Sequence, residues 1–289
     1  MFDTPYPIID AHTHIFPPKV IEDREGYLGK DAWFRALFSR PRAKMCTAEE
    51  LIASMDEAGI DLAIVCGFCW SDVNLSKMSN DYLLEAVSTY PDRLIAFANA
   101  SPHAGQGAVR ELERSLACGA RGIGELMPDG QGFELDDERL MRPVVEVALA
   151  QGVPILVHAS EPIGHLYPGK GSVTPATVYR FVESFPELTL ICGHWGGGLP
   201  FYELMPEVAE AMANVYYDTA ASPRLYDDAI FLLASRLVGH KILFGTDYPL
   251  VDQAELLQRV RKLDLSAEEL ALILGGNARK VLPVKGNAK

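Results

Sequence analysis

Six histidine and carboxylate side chains stand next to short apolar segments at widely separated positions of this 289-residue sequence. The first two, His12 and His14, are two residues apart in "PIIDAHTHIF". The others end later apolar runs: Glu125, His158, His194 and Asp247. Imidazole and carboxylate groups that converge on one point form transition-metal sites. Because structural zinc usually takes cysteines, a set without thiolates indicates a catalytic site.

Eight apolar runs with the length and composition of buried strands alternate with amphipathic segments. The runs cover residues 7–15, 61–68, 94–101, 121–126, 153–159, 188–194, 215–220 and 241–247. A typical intervening helix is "TAEELIASMDEAG", with Thr47 as N-cap, Glu50 three residues later and Gly59 as its stop. This pattern predicts an α/β chain forming a single (β/α)8 TIM barrel, with residues 1–289 as one domain. A doubly wound open sheet is the alternative, but it usually has fewer strands, and no GxGxxG follows the first run.

The carboxyl ends of parallel barrel strands meet on one face, so the six side chains should be neighbours. Side chains two apart on a strand share a face, which predicts Asp10, His12 and His14 on the same side. Asp10 is then a candidate either for the cluster or for orienting a histidine from behind. Instead of contacting a metal, Glu125 could form an ion pair with a nearby arginine such as Arg121. Zinc is the expected ion, with manganese, iron or cobalt as alternatives.

The composition excludes some classes of function. A net charge of −13 argues against a non-specific nucleic-acid surface. The sequence has no apolar run of membrane-spanning length and does not begin like a signal peptide. Five cysteines are an odd number, which suits reduced thiols, so we expect a cytoplasmic protein. The CxxC at 66–69 ends a strand and does not open a helix, which disfavours a redox or zinc role.

The motifs together resemble a known family. "DAHTHIF", "GHWGG", "GTDYP" and "GGNARKVL" are similar to the amidohydrolase superfamily, in particular its amidohydrolase-2 branch. That branch contains metal-dependent hydrolases and decarboxylases related to aminocarboxymuconate-semialdehyde decarboxylase. The resemblance extends from Ile8 to about Leu282.

The resemblance implies roles for the strand-end residues. His12, His14 and His158 would be ligands of a divalent metal, and Asp247 a ligand or the general base. His194 would be catalytic or would bind a second ion. Glu125 departs from the decarboxylase pattern and is more like the TatD-type relatives, in which a carboxylate helps to bridge two metals. The number of bound ions, one or two, is therefore left open. The resemblance also implies a homodimer, as a weaker expectation.

Two long loops follow predicted strands, at 16–46 and 159–175. Loops on a rigid scaffold often carry specificity, so we predict substrate contacts from His165, Tyr167 and Lys170 in the second loop. Trp195 and Tyr248 are further candidates for lining the pocket. The three glycines of "GHWGGG" predict a tight turn or a close backbone approach.

Three functions fit these residues. The first is hydrolysis of a small-molecule amide, ester or lactone by a metal-activated water, with Asp247 moving the proton and His194 stabilising the oxyanion. The alternative is a lyase, a non-oxidative decarboxylase of an unsaturated or aromatic acid. Its substrate carboxylate needs a cationic anchor, for which the candidates are Arg40, Arg42, Lys170 and Arg224. A non-catalytic metal-binding barrel is the third.

Overall fold

Eight parallel strands form one sheet in the computed structural model, which describes residues 5–282. Their order in the sheet is their order in the chain. The strands are β1 (Ile9–His14), β2 (Leu62–Cys66), β3 (Leu94–Ala98), β4 (Gly122–Leu126), β5 (Ile155–Val157), β6 (Leu190–Cys192), β7 (Val215–Asp218) and β8 (Ile242–Leu243). Each lies inside a predicted apolar run.

Hydrogen bonds between β1 and the segment that follows β8 close the sheet. The Ala11 N–H donates to the Phe244 carbonyl at 2.7 Å, and the Asp247 N–H donates to the His12 carbonyl at 2.8 Å. The predicted (β/α)8 barrel is therefore confirmed. The second of these bonds also joins two residues of the proposed site directly, so closure of the barrel and assembly of the site depend on the same contacts.

Helices connect the strands and cover the barrel. They are α1 (Pro18–Glu22), α2 (Arg24–Leu28), α3 (Ala32–Phe38), α4 (Ala48–Ala58), α5 (Val73–Thr89), α6 (Gln106–Ala117), α7 (Pro128–Gln131), α8 (Glu138–Gln151), α9 (Pro175–Ser184), α10 (Pro206–Ala211), α11 (Ser222–Leu225), α12 (Ala229–Val238), α13 (Gln253–Arg261), α14 (Ala267–Ala271) and α15 (Ala278–Val281). As predicted, Thr47 and Glu50 form a capping box on α4, and Gly59 ends it with φ of +73°. Within residues 5–282, none of these helices has the length and apolar character needed to span a bilayer.

The first long loop contains structure of its own. Residues 16–46 include α1, α2 and α3, which bring Phe16 and Phe34 against Phe68 and Trp70 from the segment after β2. Phe34 and Trp70 stack with ring centroids 5.0 Å apart. These aromatic rings form a small core of their own at the carboxyl ends of β1 and β2.

Candidate metal centre

The six predicted side chains meet at the carboxyl ends of the strands. His12 Nε2 lies 3.1 Å from His14 Nε2, and His14 Nε2 lies 3.3 Å from Asp247 Oδ1. On the other side, His158 Nδ1 lies 3.1 Å from His194 Nε2. Residues from β1 and β4 and from the segments after β5, β6 and β8 thus form one cluster.

The Glu125 carboxylate occupies the middle of this cluster. Its Oε2 lies 3.6 Å from both His12 Nε2 and His14 Nε2. Its Oε1 lies 3.0 Å from His158 Nδ1 and 3.7 Å from His194 Nε2. One oxygen therefore faces each histidine pair, and the alternative of an ion pair with Arg121 does not describe this carboxylate.

The donor set fits a divalent cation. In each of two sets of three residues, the possible ligand atoms all lie within 4.8 Å of one another. The first set is His12, Glu125 and His194, and the second is His12, His14 and Asp247. Nitrogen and oxygen ligands lie about 2.0–2.2 Å from zinc, so donor atoms 3–4 Å apart can share one ion. Imidazole and carboxylate also suit manganese and iron.

A bulge in β1 changes which side chains face the site. Asp10 pairs with Ala63 of β2 but Thr13 pairs with Val65, so β1 has one extra residue there. The prediction that Asp10 shares a face with His12 was therefore wrong. Asp10 instead accepts hydrogen bonds from Thr246 N–H at 2.9 Å and Thr246 Oγ1 at 2.6 Å, together with Gln253 Nε2 at 2.8 Å.

Asp10 contacts His12 only at the backbone, where the His12 N–H donates at 3.3 Å. It does not touch the imidazole ring. Burial raises the pKa of the Asp10 carboxyl to about 6, although the Thr246 and Gln253 hydrogen bonds oppose that rise. Asp10 therefore ties β1 to the segment that carries Asp247 and lies outside the cluster.

An irregularity in β4 places Glu125. Ile123 pairs with Ile155 and Leu126 pairs with Val157, so β4 also carries one extra residue at this level. Gly124 has φ of +136°, and a Cβ there would meet the Leu156 carbonyl, so only glycine fits. The Asn99 side-chain amide holds the Glu125 carbonyl from behind.

The backbone turns in a left-handed sense at His194. Five consecutive residues have positive φ, from His194 at 55° to Gly198 at 94°. A Cβ on Gly197 would collide with the Ser160 carbonyl, which confirms the close approach predicted from the three glycines. Asp247 also has a positive φ of 64°. Non-glycine residues in this region are disfavoured and cluster at functional sites.

Opposite charges hold the cluster together. Burial would raise the pKa of Glu125, but the positive charge of His12 and hydrogen bonds from the surrounding histidines hold this pKa well below its usual value. Burial would lower the pKa of His194, yet its contact with Glu125 and the charge of Asp247 raise this pKa to about 9. Protons on the rings thus balance the carboxylates, and a bound cation would compete with these protons.

The loop after β5 holds itself in place. Tyr167 donates its hydroxyl to Glu161 Oε2 at 2.9 Å, and Lys170 Nζ donates to the Ile163 carbonyl at 2.7 Å and to the His165 carbonyl at 3.3 Å. His165 is exposed. Substrate contact by His165, Tyr167 and Lys170 stays a prediction, and the Lys170 ammonium already has two partners in its own loop.

Trp195 lies away from the cluster, and substrate contact by Tyr248 stays a prediction. The Trp195 side chain is fully buried, donates its indole N–H to Ser222 Oγ at 2.7 Å and packs edge-on against Phe231. The left-handed turn directs it into the core, so the structure does not bring it to the mouth. Tyr248 borders a separate groove of about 510 Å³ together with Ser54 of α4.

The arginines suggested as carboxylate anchors are surface residues. Arg40, Arg42 and Arg224 are all exposed.

Cys66 and Cys69 are both buried with free thiols. Burial raises the pKa of the Cys66 thiol to about 12, which makes its thiolate scarce at neutral pH.

Asp218, at the end of β7, was not among the residues predicted from the sequence. Its side chain is fully buried, and Oδ2 lies 2.7 Å from His12 Nδ1. Its Oδ1 accepts the backbone N–H of His194 at 2.9 Å. Asp218 ends the apolar run "VYYDTA" as the histidines end theirs, and that position is the sequence signal that predicts it beside the cluster.

Comparison with known proteins agrees with the fold. The family model described as Amidohydrolase (Amidohydro_2) matches residues 9–284. The chain belongs to the amidohydrolase family. The resemblance inferred from the strand-end motifs is thus confirmed.

Several relatives are named decarboxylases. The chain is 22% identical to 2-amino-3-carboxymuconate-6-semialdehyde decarboxylase of Dictyostelium discoideum, covering 96% of this chain and 92% of that protein. It is 24% identical to gamma-resorcylate decarboxylase of Polaromonas sp. (strain JS666), over 71% and 75% of the two chains. A crystal structure of 5-carboxyvanillate decarboxylase from Novosphingobium aromaticivorans, complexed with manganese, superposes with a TM-score of 0.77 at 20% identity, covering 97% of each chain.

Proposed function

We propose that this amidohydrolase family member is a metal-dependent, non-oxidative decarboxylase of a small unsaturated or aromatic carboxylic acid. The observation that carries the proposal is the single cluster of His12, His14, Glu125, His158, His194 and Asp247 at the mouth of the barrel. The names of the relatives favour the lyase over the hydrolase that the sequence analysis preferred. Zinc, the ion first expected, gives way to manganese as the ion to test first, because a related decarboxylase was crystallised with it.

The cluster would hold the ion through the histidine nitrogens and the carboxylates of Glu125 and Asp247. A bound divalent cation would supply positive charge to the substrate's carboxylate and neighbouring oxygen atoms. The chain's own residues would then move one proton. Decarboxylation breaks the bond between the carboxylate and its carbon, releases carbon dioxide and places a proton on that carbon.

Asp247 is the best placed group for this transfer. Its side chain is 14% exposed, more than Glu125 at 9% and His194 at 6%, so it borders the space a substrate would occupy. Burial would raise its pKa, but its hydrogen bond with His14 and the charges of His12 and His194 hold the pKa below its usual value. A carboxylate with a low pKa is ionised at neutral pH, so Asp247 would first take a proton from water or from an acidic hydroxyl of the substrate and would then deliver it to the carbon that loses carbon dioxide.

Hydrolysis is the second candidate, favoured by one feature. Because each oxygen of Glu125 faces a different histidine pair, this carboxylate could bridge two cations. Paired cations are common in hydrolytic enzymes. The two reactions differ in the substrate, so the test must offer both kinds.

The proposal predicts decarboxylation that depends on the metal. Protein reconstituted with manganese should release carbon dioxide from a panel of acids that includes 2,6-dihydroxybenzoate and 5-carboxyvanillate. Treatment with a chelator should abolish release, and added manganese should restore it, because the cluster's carboxylates cannot neutralise an anionic substrate alone. Carbon dioxide release and the ultraviolet spectrum of the acid measure this.

The opposite result would be hydrolysis of lactones, esters or amides with no carbon dioxide from any acid, which would make the protein a hydrolase. Tight metal binding without turnover of either kind would favour the non-catalytic barrel. The cytoplasmic location and the homodimer also stay predictions.

A further inference from the structure

Two histidines of the cluster are held from behind by one short segment at the end of β7. Asp218 Oδ2 lies 2.7 Å from His12 Nδ1, and both side chains are fully buried. Two residues later, the Ala220 carbonyl lies 3.2 Å from His194 Nδ1. The segment therefore contacts the ring nitrogens that point away from the cluster.

These partners fix the neutral tautomers of the two rings. A backbone carbonyl can only accept, so His194 must carry its proton on Nδ1. A carboxylate also only accepts, so His12 carries its proton on Nδ1 as well. In both rings the Nε2 lone pair then faces the cluster, where His12 Nε2 lies 3.6 Å from Glu125 Oε2.

We propose that Asp218 is a positioning residue that fixes His12 in the tautomer able to bind a metal and anchors the backbone of His194 beside it. The inference rests on the proposed metal site but not on the reaction. Its second function follows from Oδ1, which accepts the backbone N–H groups of His194 at 2.9 Å and Ala220 at 3.0 Å. These bonds hold the left-handed turn at His194 against β7.

The same contacts predict how asparagine would behave at this position. The backbone N–H groups of His194 and Ala220 can only donate, so the amide oxygen of Asp218→Asn must face them. Its NH2 group would then face His12 Nδ1, which would have to accept. His12 would carry its proton on Nε2, inside the cluster, and could not bind a metal through that atom. A triad histidine in the wrong tautomer disables serine proteases in the same way.

The first test compares the metal affinity of wild type, Asp218→Asn and Asp31→Asn by competition with a chromophoric chelator, using manganese and zinc. Asp31 is a matched control, because it is also buried and accepts hydrogen bonds, from Trp33, Phe34 and Ser71, without touching the cluster. Loss of such a supporting carboxylate costs about 10–100-fold in metal affinity. We expect this loss in Asp218→Asn and wild-type affinity in Asp31→Asn. Equal affinity in all three proteins would overturn the proposal.

The second test reads the tautomer directly and does not depend on metal binding or turnover. Long-range 1H–15N spectra of 15N-histidine-labelled protein, recorded at a pH above the titration that the same spectra show for His12, should show the proton of His12 on Nδ1 in wild type and on Nε2 in Asp218→Asn. A His12 proton on Nε2 in wild type would overturn the proposal even if the variant fails to fold. Should wild type bind no metal, the metal site would fail, while these spectra would still decide the role of Asp218.

Discussion

Asp247→Asn is expected to fold, bind metal and lose about 10²–10⁴-fold in kcat, the usual contribution of a proton-transferring side chain. Asparagine preserves the shape of Asp247 and its backbone bond to His12, but it cannot carry and release the proton. The carboxylate Oδ1 lies 3.3 Å from His14 Nε2, so some metal affinity will also be lost. The measurement is kcat at saturating manganese, with bound metal determined in the same samples.

The control for this variant is Asp264→Asn, which changes an exposed aspartate and should leave kcat unchanged. Full turnover in Asp247→Asn with metal bound would exclude Asp247 as the proton carrier. His194, whose Nε2 also faces the cluster, would then be the residue to test.

Glu125→Gln is expected to weaken divalent metal binding by roughly 10²-fold or more. The substitution keeps the size of a side chain that touches two histidine pairs and removes its charge. Two unit charges 4 Å apart interact by about 4 kcal/mol at an effective dielectric constant of 20, and a divalent ion interacts more strongly, so the loss should be large. Titration with manganese, followed by metal analysis, measures it.

The number of ions bound distinguishes the two candidate functions. If Glu125 bridges a pair of cations, wild type should hold about two equivalents and the variant about one. If it binds a single ion, the variant should lose that ion at concentrations that saturate wild type. Glu146→Gln, on the exposed face of α8, is the control. Undiminished affinity in Glu125→Gln would mean that the central carboxylate only balances protonated histidines.

The barrel could be predicted because burial on both faces leaves a clear mark in the sequence. Parallel strands read as continuous apolar runs, as in "DLAIVCGF" around β2, and the helices between them carry caps such as Thr47. Polar residues at the ends of such runs have few structural reasons to be there. That is why His158 and His194, 36 residues apart, could be placed side by side.

The details of side-chain direction could not be predicted. Regular alternation put Asp10 beside His12, and only the bulge in β1 shows that Asp10 faces Thr246 and Gln253 instead. Trp195 was a candidate for lining the pocket. The left-handed turn directs its ring into the core. Neither a bulge residue nor a positive φ produces a recognisable hydrophobic periodicity in the sequence, so these side-chain directions could not be predicted.

Asp218 could have been found by the argument that found the histidines. It ends β7 just as His194 follows β6, but a lone aspartate after "VYY" carries no paired motif such as HxH. Its importance lies in contacts with His12, 206 residues away in the chain. The strand-end position of Asp218 could thus be predicted, whereas its supporting role could be recognised only from its contacts in the closed barrel.

The central claim is that the cluster at the mouth of the barrel binds a divalent metal. The most direct test is the metal content per chain of protein purified without added metal and after incubation with manganese or zinc. It should be compared with a His12→Ala/His14→Ala variant. His240→Ala is the matched control, because His240 lies just before β8, at the opposite end of the strand from Asp247.

We expect about one or two equivalents in wild type and in His240→Ala, as for catalytic mononuclear or binuclear sites, and none in the double variant. Wild-type protein that holds no metal and takes up neither ion would contradict the account. The histidines would then be acid–base or structural residues, and the likeness to metal-dependent relatives would extend to the fold alone.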